Sequence, residues 1–126
     1  MIQKFCQISS VIIAALSLAS TAGQVLAQAE RFEITSIKAV RPTLVNTIAA
    51  LQAGDVARAK NAFEAYDSAW NGIEVYVNVR SKAMYQTLEH EYQVRITKAL
   101  ETPNPNIASL LSDVQAMLGK FDETSR

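Results

Sequence analysis

The chain has 126 residues, 49% of them hydrophobic, and twelve basic side chains balance twelve acidic ones. One globular domain at most fits that length, and a neutral chain lacks the clustered surplus of Lys and Arg that nucleic acid requires, so no nucleic-acid partner is expected. The single cysteine, Cys6, cannot form an intramolecular disulfide.

Residues 1–29 read as a secretory signal peptide. Lys4 gives the positive start, a mostly apolar run from Ile8 to Leu18 follows, and Ala27-Gln28-Ala29 forms a small-x-small cleavage site before Glu30. The apolar run is about eleven residues, against the roughly twenty that a membrane span needs. Cleavage removes Lys4 and Cys6 and leaves a domain over residues 30–126 with one net negative charge. Cys6 precedes the apolar run and is not placed for lipidation. The expected product is a soluble, periplasmic or secreted domain without thiolate metal sites, disulfides or covalently attached haem.

From Glu30 to Ala53, apolar residues fall at Ile34, Ile37, Val40, Leu44, Ile48 and Leu51, a helical spacing interrupted by Pro42. Proline lacks the amide that bonds the preceding turn, so the spacing predicts a helix that begins near Pro42, with a kinked single helix as the alternative. Gly54 ends this element and Asp55 suits the N-cap of the next. A second helix is expected from Val56 to Val79, with Ala59, Phe63, Tyr66, Trp70, Ile73 and Val77 in a stripe about 80° wide. Gly72 within it suggests close approach of a neighbouring helix. Ser81 should cap a third helix from Lys82 to Glu101, with Tyr85, Leu88, Tyr92, Ile96 and Ala99 inward, closed by Pro103 and Pro105. Asn104 as N-cap and Pro105 at the first position should open a last helix carrying Ile107, Leu110, Leu111, Val114, Met117, Leu118 and Phe121, fraying at Gly119. With three or four helices and no strand signal, the expected fold is all-α, an up-down-up-down four-helix bundle.

Two stretches repeat a pattern of aromatic, two variable residues, aliphatic and glutamate: Trp70-Asn71-Gly72-Ile73-Glu74 and Tyr85-Gln86-Thr87-Leu88-Glu89. If the helices on either side of Arg80-Ser81 form an antiparallel hairpin, Glu74 and Glu89 lie at nearly the same depth, at about 1.5 Å per residue. Paired carboxylates on facing helices suit a hard metal ion, and a neighbouring tyrosine oxygen, that of Tyr85, favours ferric iron. The competing structural reading pairs the glutamates with Arg80, Lys82 or Arg95, or makes them acceptors for buried tyrosine hydroxyls. A ferritin-like di-iron site is not expected, since its Glu-x-x-His motif is missing. His90, about 140° round the helix from Tyr85, belongs on the outer face. His90, Met84 and Met117 are the candidate axial ligands of a non-covalently bound haem, and the position of His90 speaks against that reading. Neither a nucleophile elbow nor a Gly-rich phosphate loop occurs, and no enzyme is expected.

The run from Leu51 to Glu89, with Gly54-Asp55, Ala62 to Tyr66, Trp70-x-x-Ile73-Glu74-x-x-Val77, Arg80-Ser81 and Tyr85-x-x-Leu88-Glu89, resembles the extracytoplasmic helical domain preceding the membrane permease of bacterial high-affinity iron transporters. In that family the module faces the periplasm and helps present iron to a channel whose Arg-Glu-Gly-x-x-Glu motif carries the ion. This sequence has no such motif. The resemblance therefore implies a stand-alone accessory of iron uptake, with Trp70 as a core anchor, Glu74 and Glu89 as the acidic site, Tyr85 alongside, and a membrane permease as partner. The chain also looks somewhat like the helical imelysin and iron-uptake lipoprotein group, whose His-x-x-Glu motif is missing here. The alternative function is a structural or interaction subunit of a membrane complex that binds no metal.

Overall fold

A computed structural model describes residues 30–126. The signal-peptide reading of residues 1–29, Cys6 included, lies outside the described residues. The first helix, α1 (Phe32–Gln52), passes through Pro42 as one element and does not begin there. Its apolar face explains why: Ile34, Ile37 and Val40 before the proline and Leu44, Ala50 and Leu51 after it are all buried. Burial along one continuous face outweighs the hydrogen bond that Pro42 cannot make. The hydroxyls of Thr43 and Thr47 donate to the Val40 and Thr43 carbonyls at 2.7 and 2.8 Å, adding local donors where the amide ladder is short of one.

The end of α1 follows from Gly54, whose φ of 70° is in the left-handed region. That conformation lets the Gly54 amide reach the Leu51 carbonyl at 3.0 Å and the Asp55 amide reach Ala50 at 2.9 Å, the paired bonds of a Schellman stop. Asp55 then accepts from the Arg58 amide at 3.0 Å and starts α2 (Val56–Trp70), as its sequence position suggests.

The predicted helix from Val56 to Val79 is two helices. After α2 the chain tightens at Asn71-Gly72-Ile73, where the Gly72 and Ile73 amides bond three residues back to Ala69 and Trp70 at 3.1 and 2.8 Å, and α3 (Glu74–Arg80) follows. Asparagine and glycine are both weak helix formers. Gly72 is not where a neighbouring helix presses close, since an added Cβ would meet only the Ala69 carbonyl oxygen at 3.4 Å. The expected inward stripe survives the break: Ala59, Phe63, Tyr66, Trp70, Ile73 and Val77 are all buried.

Ser81 accepts from the Met84 amide at 3.1 Å and opens α4 (Lys82–Gln86). A π-helical segment over Thr87–Gln93 and then α5 (Val94–Glu101) continue it. The wider turn changes which residues face inward. Leu88, Gln93, Ile96 and Leu100 are buried, a step of five and then steps of three and four, while Tyr85, Tyr92 and Ala99 are half-buried. An α-helical wheel cannot anticipate that step of five.

The last helix, α6 (Ile107–Glu123), starts later than expected. Asn106, not Asn104, is its N-cap, accepting from the Ser109 amide at 3.0 Å, and Asn104 takes a left-handed φ of 53° between the two prolines. Asparagine tolerates that region better than most residues. Nor does the helix fray at Gly119: Phe121 is fully buried, with its ring edge-on to Tyr66 at 6.1 Å. Arg41 clasps Asp122 through two bonds of 2.8 and 3.1 Å, and Arg80 donates to the Thr124 and Arg126 carbonyls at 3.0 and 2.9 Å.

Every regular element among the described residues is helical. Helix α1 packs on α2 and α6, α6 on the π segment and α5, and α2 on α5, giving a helical bundle around one apolar core. No helix among the described residues is long and apolar enough to cross a membrane. Phe121 tests the C-terminal closure: Phe121→Ala should lower stability by about 3–5 kcal/mol, read by urea denaturation. A loss under about 0.5 kcal/mol, the size expected of a frayed surface position, would contradict it.

Candidate metal site

The site lies where α3, α4 and the π segment meet around Trp70. Trp70, the last residue of α2, is fully buried, and the Tyr85 ring of α4 stacks on it at 6.2 Å with an interplanar angle of 16°. The indole N–H donates to Glu89 Oε2. Trp70 is thus held by its face and by its edge, and it fixes the positions of both Tyr85 and Glu89. Glu74, half-buried, is the first residue of α3, where the short helix turns back toward α4.

The charges of both carboxylates act on the Tyr85 phenol. Partial burial, then the charge of Glu89, then that of Glu74 push its pKa above the ordinary tyrosine value, so the phenol sits in the field of both. Of the three sequence-predicted site residues, Tyr85 and Glu89 both contact Trp70, and Glu74 acts on Tyr85 through its charge. Two of the three proposed salt-bridge partners are engaged elsewhere: Arg80 donates to C-terminal carbonyls, and Arg95 holds Asp113 through two bonds of 3.1 Å and lies 4.9 Å from the Tyr92 ring centroid. Neither Glu74 nor Glu89 takes part in an ion pair among the described residues. The group that occupies Glu89 is the Trp70 indole and not a tyrosine hydroxyl, as the structural reading would have it.

His90 is exposed, as its helical-wheel position suggests, yet its ring meets the Tyr85 ring edge-on at 5.7 Å. The π turn explains the contact, because residues five apart come into line there. Met117 is fully buried while His90 is exposed, so these two candidate haem ligands lie in different environments. No group of three His, Cys, Asp or Glu among the described residues is placed to hold a metal ion. An ion at Glu74 and Glu89 would therefore draw two charged ligands from the protein, with Tyr85 oxygen as the third donor and open positions left for other ligands.

Sequence reasoning missed a second polar contact between α2 and the π segment. Gln93 Nε2 donates to Asp67 Oδ1, one turn from the Trp70–Glu89 bond. Gln93 stood out in no pattern, because only the π step turns it inward. Tyr66, whose ring stacks on Trp70 at 5.9 Å, has its pKa raised by burial first, then by the charges of Glu89 and Asp67.

These tyrosine shifts carry a sign. A folded-state pKa above the unfolded value near 10 means the unfolded chain releases the proton first, so the stabilisation is present below about pH 10 and declines as pH rises past it. The melting temperature should therefore fall between about pH 9 and pH 11, and the Tyr66→Phe, Tyr85→Phe double variant should show a shallower fall over the same range in thermal melts followed by circular dichroism. An identical slope in both proteins would contradict the assignment.

Compared with protein-family models, curated proteins and solved structures, the chain shows no match.

Proposed function

We propose that this chain is an exported accessory of iron uptake, periplasmic or secreted, which binds or hands over iron through Glu74 and Glu89 with Tyr85 as an added oxygen donor. On this reading the helices form an up-down-up-down four-helix bundle, and the receiving partner is a membrane permease or another membrane complex. The observation that carries the proposal is that Tyr85 stacks on Trp70, whose indole is bonded to Glu89, while neither Glu89 nor Glu74 takes part in an ion pair among the described residues. Carboxylate and phenol oxygens are hard donors suited to ferric iron, and a site with few protein ligands suits transfer better than storage.

The test uses ferric and ferrous affinity of the protein beside its Glu74→Gln, Glu89→Gln double variant. Trp70 is the only tryptophan and its indole is bonded to Glu89, so its fluorescence reports on an ion arriving there. Stoichiometric iron with quenched emission is expected, and the double variant should bind at least about tenfold more weakly with its helicity unchanged. Retained affinity would remove these residues from the site.

One observation favours a second reading, that of an interaction subunit of a membrane complex without metal. Phe32, Val75 and Val79 are 72%, 57% and 82% exposed, and the Phe32 ring meets Tyr76 edge-on at 6.1 Å, so α3 and the start of α1 present apolar side chains to solvent. On this reading the protein recovers a membrane partner from detergent extracts in the presence of a chelator, and Val75→Ser with Val79→Ser abolishes the recovery. Recovery that depends on added iron and tolerates both substitutions would count against it.

A further inference from the structure

Two buried polar atoms find no partner among the described residues: the Tyr66 hydroxyl and Gln93 Oε1. Tyr66 is fully buried and Gln93 is 9% exposed, so neither is a surface group waiting on bulk solvent. A buried hydroxyl or amide left unpaired is costly, and native proteins rarely leave one so. Both residues line the same seam between α2 and the π segment: Gln93 is bonded to Asp67, the residue after Tyr66, and the Tyr66 ring stacks at 5.9 Å on Trp70, whose indole is bonded to Glu89.

We propose that one water molecule is bound at this junction, accepting the Tyr66 hydroxyl proton and donating to Gln93 Oε1. The orientation of the amide follows from its partner: the Asp67 carboxylate accepts only, so Gln93 turns its NH2 toward Asp67 and its oxygen away. What is left is one donor, from Tyr66, and one acceptor, from Gln93. A metal ion or an ammonium group would satisfy the amide oxygen, but neither has a lone pair for the phenolic proton. Water supplies both functions and is the smallest species that does. The π turn contributes by carrying Gln93 inward at a step of five. The bound water acts as a third link between α2 and the π segment, beside the Trp70–Glu89 and Asp67–Gln93 bonds.

The experiment rests on a difference in sign. If the water is bound, Tyr66→Phe removes one of its partners, strands the other, and lowers the melting temperature by a few degrees. If the hydroxyl is an orphan, the same substitution deletes an unpaired polar atom from an apolar core and leaves the melting temperature unchanged or raised. Phenylalanine keeps the ring, so folding is preserved in either case. Gln93→Met supplies the second arm: with a shared water, the double variant loses less than the sum of the two single losses. A high-resolution crystal structure then locates the molecule, and an ordered water within hydrogen-bond distance of both atoms is expected. A raised or unchanged melting temperature in Tyr66→Phe, additive losses, or a crystal structure without that water each overturns the proposal.

Discussion

The bond from the Trp70 indole to Glu89 organises this protein. It joins a buried ring to a half-buried carboxylate across two helices, and it lies in a run of stacked aromatic rings from Phe63 through Tyr66 and Trp70 to Tyr85. Indole nitrogen has a single proton and no acceptor capacity, so a buried tryptophan needs one well-placed oxygen. Glu89 supplies it with Oε2. The same contact secures the core and defines the candidate site.

That dual role accounts for the joints in the backbone. The chain leaves α2 at Trp70, turns tightly at Gly72, and returns through Ser81 so that Tyr85 can lie on the indole. A straight helix from Val56 to Val79 would keep Ile73 and Val77 inward, but the observed break also decides where Glu74 stands. It becomes the first residue of a new helix, where a carboxylate interacts favourably with the exposed amides. Electrostatic preference and core packing agree at that position.

Much of this was legible in the sequence because burial follows periodicity. The stripe from Ala59 to Val77, the glycine stop at Gly54, and the caps at Asp55 and Ser81 are local signals with local outcomes, and the structure has all of them. What could not be read depends on tertiary context. Pro42 is carried through a helix because the faces on both sides of it are buried, and Asn104 yields the cap to Asn106 because the prolines dictate the loop. Gln93 is the sharpest case: its inward place comes from a change of helical type that has no composition of its own.

The π segment also couples the length of this rod to its winding. It works as a single-residue insertion in an otherwise α-helical rod, and a helix advances about 100° per residue. The wider turn takes up the extra residue locally, so the flanking helices keep the orientation they would have without it. Loss of one residue between Thr87 and Gln93 would restore regular winding with Ile96 and Leu100 still on the core, whereas rewinding the same seven residues as α-helix would swing them off it by about that angle. In this stretch, length and winding can change only together.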